Sequence, residues 1–241
     1  MAINCHIEWT HASWNPVSGC QKFSTGCMHC YAERMARRLQ AMGMPKYRHG
    51  FAVTLHPELL DLPLRWRKPR SVFVNSMSDL FHPQVPLEFI QQVFAVMGQA
   101  NWHRFQILTK RAERLVELSH ALDWHPNVWQ GVTVEAAQYR FRIDLLRSTG
   151  AAGKFLSIEP MLDFIPELDL TGIDWVIVGG ESGPQARPIK REWVLRVRDI
   201  CAEQGVAFFF KQWGGMDRKA TGRELDGRTY DANPIMKPLF R

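Results

Sequence analysis

Trp175-Val176-Ile177-Val178-Gly179-Gly180-Glu181-Ser182-Gly183 is an unbroken apolar run that stops at a polar, glycine-rich turn, and the helical pattern Arg191–Gln204 follows it. A strand with one wet face alternates apolar and polar residues, whereas a run apolar at every position belongs to a strand covered on both faces, as in parallel sheets. The unit recurs along the chain. Ile7–Thr10, Ser71–Asn75, Arg104–Thr109, Val128–Val134, Lys154–Ile158, Trp175–Val178 and Ala207–Lys211 read as strands. Between them Ala32–Met42, Leu87–Ala100, Ala112–His120, Ala136–Arg147 and Arg191–Gln204 carry apolar residues at three- and four-residue spacing, the period of a helix. Repeated strand and helix predict an α/β fold with parallel strands, either closed into a barrel or left as an open sheet. With 241 residues, 46% of them hydrophobic, the chain suits one barrel-sized domain. We expect that domain over 1–213, and a tail over 214–241, mixing glycine and charge, that covers the barrel mouth.

No apolar stretch approaches membrane length, so a soluble, cytoplasmic protein is expected. Five cysteines, with Cys5 and Cys201 isolated and three in one loop, fit a reducing compartment better than a disulfide framework. The two isolated cysteines are expected to be buried apolar residues.

The three clustered cysteines lie in Gly19-Cys20-Gln21-Lys22-Phe23-Ser24-Thr25-Gly26-Cys27-Met28-His29-Cys30-Tyr31, spaced Cys20-(x6)-Cys27-(x2)-Cys30. Structural zinc closes a tetrahedron with four Cys or His ligands, whereas an iron–sulfur cube held by three cysteines leaves one iron open to a small molecule. A Cys3His zinc site using His29 or His11 is the alternative, although no second CxxC or HxxxH pair follows downstream.

Three stretches together, Trp9-Thr10-His11-Ala12-Ser13-Trp14-Asn15-Pro16, the cysteine loop running into Cys30-Tyr31-Ala32-Glu33, and Asn75-Ser76-Met77-Ser78-Asp79-Leu80-Phe81-His82, resemble the radical S-adenosylmethionine (radical SAM) superfamily. Within it, the chain resembles a phage-encoded three-Cys-motif family of unknown function over nearly its whole length. The superfamily spacing is C-x3-C-x2-C. Here the first gap holds six residues, and His29 stands where an aromatic commonly precedes the last cysteine. The resemblance implies a partial or complete α/β barrel of radical SAM type and a [4Fe-4S] cluster on Cys20, Cys27 and Cys30. It also implies S-adenosylmethionine as cofactor, an electron donor such as flavodoxin or ferredoxin, and a 5′-deoxyadenosyl radical that abstracts hydrogen from a substrate.

In such a barrel the chemistry sits at the carboxyl ends of the strands. The expected exits are polar: Asn75-Ser76-Met77-Ser78-Asp79, Thr109-Lys110-Arg111, Thr133-Val134-Glu135, Ser157-Ile158-Glu159, Gly179-Gly180-Glu181 and Lys211-Gln212-Trp213. S-adenosylmethionine carries an ammonium, a carboxylate and ribose hydroxyls, so its site needs both acceptors and donors. Asn75, Ser76, Ser78 and Asp79 are candidates for the methionyl amino group, and Thr133, Glu135 and Glu159 for the ribose or carboxylate. Glu181 is expected to face the mouth, and Trp14, Met77, Phe81 and Trp213 are candidate wall residues.

Net charge is +6, which favours a polyanionic partner, DNA or RNA. Arg65, Trp66, Arg67 and Arg70, together with Lys110 and Arg111, interleave cations with an aromatic ring, as suits phosphates and stacked bases. Likeness to DNA-lesion-repairing radical enzymes around Cys30-Tyr31-Ala32 favours nucleic-acid modification or repair. A radical enzyme acting on a peptide or small molecule and a non-catalytic zinc-bearing nucleic-acid-binding protein are the other two readings.

Overall fold

The computed structural model describes residues 7–236. Seven parallel strands form one sheet: β1 (Ala12–Trp14), β4 (Ser71–Val74), β5 (Arg104–Thr109), β6 (Val128–Thr133), β7 (Gly153–Ile158), β8 (Trp175–Gly179) and β9 (Ala207–Gln212). A two-stranded antiparallel piece, β2 (Val17–Ser18) with β3 (Thr54–Leu55), sits beside it. The α-helices are α1 (Tyr31–Ala41), α2 (Leu87–Gln99), α3 (Ala112–Ser119), α4 (Phe141–Arg147), α5 (Arg191–Glu203) and the single-turn α6 (Arg218–Thr221).

Strand order in the sheet follows the chain, β1-β4-β5-β6-β7-β8-β9. Consecutive parallel strands joined by right-handed crossovers put all their helices on one face, so the sheet curls around its other face into a partial α/β barrel. The alternation of side chains records the two faces. Val72, Val74, Leu156, Ile158, Val176, Val178, Phe208 and Phe210 belong to the core under the helices, with Ile90, Val93, Leu115, Ile143, Leu146, Val194 and Val197. The residues between them, Phe73, Phe155, Trp175, Ile177 and Phe209, meet Trp9 and Ile235 in a second cluster inside the curl. There Trp9 meets Phe73 edge-on with ring centroids 4.7 Å apart, and Trp175 meets Phe209 at 6.0 Å. The sheet stays open between β1 and β9, its end strands.

The predicted strands correspond to β4 through β9, and the first does not. Ile7–Thr10 is not a strand: Trp9 packs inside the curl and the Thr10 hydroxyl donates to the Ser71 carbonyl. The strand lies two residues on, where Ala12, Ser13 and Trp14 pair with Val72, Phe73 and Val74. Three residues, one of them serine, give too short an apolar run to read. The predicted helix Ala136–Arg147 divides into a 3-10 turn, Ala137–Tyr139, and α4.

The tail does not stay at one end. Gly215 bridges to Ser182 at the carboxyl edge of the sheet, but residues 225–236 run along β9 to its amino edge. There Trp175 Nε1 donates to the Ala232 carbonyl at 2.7 Å and Arg104 donates to the carbonyls of Pro234 and Ile235. Those residues form a floor beneath the inner cluster. Residues 237–241 and Cys5 lie outside the described residues. Cys201, on the buried face of α5, lies in the core, and burial pushes its thiol up to about 12. Among the described residues, no helix is long and apolar enough to cross a membrane.

Candidate active site at the cysteine loop

The cysteine loop leaves β2 and enters α1, whose N-cap residue is Cys30. Gly19 starts it with φ of 81°, and a Cβ there would lie 2.1 Å from the Ala52 carbonyl oxygen, so only glycine fits. The Gly19 amide donates to the Met77 carbonyl at 3.1 Å, which ties the loop to the exit of β4.

That exit is stitched to the exit of β1. Asn75 adopts φ of 60°, a left-handed conformation asparagine tolerates better than most residues. Its Oδ1 accepts from the Val17 amide, while Asn15 Oδ1 accepts from the Ser76 hydroxyl and the Met77 amide, each at 3.2 Å. The Ser78 hydroxyl donates to the Val17 carbonyl. Asp79, 8% exposed, accepts from the Thr109 hydroxyl at 2.8 Å and from the amides of Phe81 and Lys110. Asp79 and Arg111 approach to 3.9 Å. Arg111 in turn donates to the Gln21 carbonyl and lies 4.5 Å from the ring centre of Phe23.

Two further exits grip the loop. At β6, Glu135 is fully buried, pairs with Arg142 Nη1 at 2.8 Å and accepts a hydrogen bond from the Ser24 hydroxyl. Arg142, 1% exposed, also donates to the Thr133 carbonyl and stacks 4.2 Å from the centre of the Tyr139 ring. A Cβ on Gly26 would sit 2.8 Å from Glu135 Oε1, so the loop backbone approaches the carboxylate closely. At β8, Glu181 pairs with His29 Nδ1 at 3.1 Å and accepts twice from the guanidinium of Arg187, which also donates to the Thr25 carbonyl. Burial opposes ionisation of Glu181, yet hydrogen bonds from Arg187 and His29 outweigh it and hold the carboxyl at about 2. At β7, Glu159 accepts from Lys211 at 3.0 Å and from the Ser157 hydroxyl.

Cys20, Cys27 and Cys30 are free thiols, each half-buried. Burial, with the Asp79 charge adding to it, pushes Cys20 up to about 12. Ser24 Oγ lies 3.8 Å from Cys27 Sγ. Among the described residues, no group of three or more His, Cys, Asp or Glu side chains gathers around one point as ligands of a single ion. One loop thus carries three free thiols beside the strand exits.

The six basic-patch candidates divide between the two ends of the sheet. Lys110 and Arg111 follow β5 at the carboxyl edge with the cysteine loop, whereas Arg65, Trp66, Arg67 and Arg70 precede β4 at the amino edge. A four-residue strand separates those edges by about 13 Å. Arg65 pairs with Asp61, Arg70 lies over Trp66 at 5.7 Å, and Trp66 packs on the core. Trp14 and Phe81 are buried under the helices and Met77 packs with Ala32 and Ala36.

Arg142, Arg187 and Ser24 were not singled out from the sequence. Arg142 carried a readable signal: with Ile143 and Leu146 it falls on the buried face of α4, and an arginine there implies a buried acidic partner.

A search of curated proteins finds no match. Among solved structures, a spore photoproduct lyase variant matches at 12% identity and TM-score 0.45, covering 71% of this chain and 56% of that one. Spore photoproduct lyase complexed with dinucleoside spore photoproduct matches at 10% and 0.41, covering 78% and 59%. A doubly substituted form with bound AdoMet and dinucleoside spore photoproduct matches at 13% and 0.44, covering 80% and 60%. The chain thus spans less than two thirds of the length of these structures. The model of one family, described as "Protein of unknown function (DUF5131)", matches residues 4–234, and by that span the chain belongs to the DUF5131 family.

Proposed function

We propose that this protein is a radical SAM enzyme of the cytoplasm that modifies or repairs nucleic acid. The observation that carries the reading is the delivery of three free cysteines, by one loop, to the carboxyl edge of a parallel α/β sheet. Thiolates on a single tetrahedral ion stand about 3.8 Å apart, whereas a cube takes each on a separate iron.

Cys20, Cys27 and Cys30 would hold the cluster. When bound, a [4Fe-4S] cluster and S-adenosylmethionine supply one-electron cleavage of a carbon–sulfur bond and a 5′-deoxyadenosyl radical. The chain's own residues bind, orient and shield. Asn75 Nδ2 is buried without a partner and is the donor left at the β4 exit for a carboxylate. The hydroxyls of Ser76 and Ser78 each donate within the protein and keep lone pairs for an ammonium. Asp79 fixes the turn that presents them. Thr133 and Glu159 are the ribose candidates. Glu135 and Glu181 hold the cysteine loop in place.

The reading also calls for an electron donor such as flavodoxin or ferredoxin, and for a nucleic-acid strand at the mouth, where Lys110 and Arg111 stand. The phage association implied by the three-Cys-motif resemblance suits such a substrate. Anaerobic reconstitution with iron and sulfide, followed by electron paramagnetic resonance with and without S-adenosylmethionine, tests it. A cubane signal that changes on adding the cofactor is expected, and replacing any of the three cysteines with Ala should abolish it. Tightly bound zinc with no iron uptake would overturn the reading.

A further inference from the structure

Six of the nine exposed large apolar side chains among the described residues fall between residues 23 and 44, on the cysteine loop, α1 and the turn after it. Monomeric surfaces seldom gather such residues without a partner. Tyr31 and Met35 on α1 and Met42 at its C-cap stand four and seven residues apart, which at 100° per residue places them within a sector of about 40°. Arg38 lies beside that sector. The core contacts of α1 are made by a neighbouring stripe, Ala32 and Ala36, so the Met-rich stripe is apolar surface that the fold leaves in water. Met42 and Tyr31 are 63% and 52% exposed, and Met28, in the cysteine loop itself, is 53% exposed.

Charge identifies the occupant. Residues 20–50 hold six Lys and Arg against one Glu, a net of +5, where the whole chain is +6. Lys22 and Arg37 pair with Glu33, which leaves Arg34 and Arg38 as the cations of α1 beside the stripe. A second copy docking here through the same patch would set like charges against each other, which costs affinity. Met, Tyr and Arg are the residues that protein interfaces enrich, and flexible methionines adapt to a partner's surface. A nucleic-acid track instead pairs a continuous cationic groove with stacking rings, whereas here four exposed methionines outnumber the two exposed rings, Phe23 and Tyr31.

The eleven residues of α1 span about 16 Å, the scale of the small, transient contacts that redox partners make. The face is also contiguous with the cysteines. Cys30 caps α1, and Met35 lies about 7.5 Å along the axis from it. Electron tunnelling falls steeply with distance, so a partner seated here delivers its electron over a short path.

We propose that the Met-rich, arginine-flanked face of α1 and the cysteine loop is the docking surface for an acidic electron-carrier protein. The inference rests on the radical SAM reading for its purpose but not for its surface. One electron passes from the reduced flavin or iron–sulfur centre of the carrier to the cluster; the carrier is oxidised, the cluster is reduced, and no bond breaks.

The test uses full-length protein and the double variant Arg38→Glu, Met42→Glu, neither residue touching the cysteines. Binding of a flavodoxin and of a plant-type ferredoxin, both acidic, is measured by calorimetry at low and raised ionic strength. Formation of 5′-deoxyadenosine is measured with each reduced carrier and with dithionite. Wild-type protein should bind at least one carrier in a salt-sensitive way, and the variant should bind it roughly tenfold more weakly. Carrier-driven turnover should fall by a similar factor while dithionite-driven turnover stays within roughly twofold. Unchanged carrier binding in the variant, or no binding of either carrier to wild type, overturns the docking surface. So does an oligonucleotide that binds this face in their place. Failure of dithionite to drive any cleavage in wild type would instead count against the radical SAM reading, and the carrier-binding comparison would still decide the surface.

Discussion

Glu135 and Arg142 are 0% and 1% exposed and sit 2.8 Å apart, so neither charge has water to fall back on. Breaking a buried pair from one side leaves the other charge uncompensated, at a cost of about 3–5 kcal/mol, while replacing both partners by apolar groups is often nearly neutral. Arg142→Met should therefore destabilise the protein by about 3–5 kcal/mol, or about 6–20 °C in melting temperature at this chain length. The double variant Glu135→Leu, Arg142→Met should regain much of that stability. It should not regain iron uptake, because the Ser24 hydroxyl has lost its acceptor and the cysteine loop its hold on β6. Thermal melts and iron-to-protein ratios of the two variants check this. Equal instability of both, or normal iron loading in the double variant, would mean that the pair does not position the loop.

The cysteine loop is held to the ends of several strands, and its attachments explain what could be read in advance. The apolar runs of β4 and β8 were legible because burial on both faces leaves almost no polar residue to break them, and β5, β6 and β7 each carry only isolated polar residues among apolar ones. The polar strand exits were legible as a group for the same reason, standing out against those runs. Their individual partners were not: Ser24 meets Glu135 across 111 positions and His29 meets Glu181 across 152, and no periodicity encodes such pairs. The first strand was misplaced because Ala12–Trp14 is too short to carry a pattern. Glu181 makes the attachment at β8 testable. Its carboxyl is held at about 2 against an ordinary 4.5, so the unfolded chain takes up the proton first as pH falls. The stabilisation is complete above about pH 4.5 and is lost as pH drops from there towards about 2. Urea midpoints of Glu181→Gln measured across that window should fall less steeply with acid than those of wild type; parallel profiles would show that the Glu181 ion pair adds nothing to stability.

At the scale of the whole molecule, the open side of the curl raises the question of what replaces the missing closure between β1 and β9. The tail answers for β9. Phe210 takes the Tyr230 carbonyl as acceptor, and Phe209 bridges Asp231, so the edge strand's backbone is partly covered. Farther on, Ile235 is 2% exposed among Trp9, Phe73, Trp175 and Phe209, which belong to elements from both ends of the chain. A tail that were merely laid on the surface would add little, and its loss would leave the domain intact. A tail whose Ile235 completes the inner cluster belongs to the same cooperative unit as the sheet. Ile235→Ala removes buried methyl groups from that cluster and should cost about 2–5 kcal/mol. The cost should appear as a lower urea midpoint with an unchanged slope, reported alike by tryptophan fluorescence and by far-ultraviolet circular dichroism. An unmoved midpoint, or two separate transitions, would show the floor to be a detachable cap, and the parallel sheet would then have to hold its aromatic interior without it.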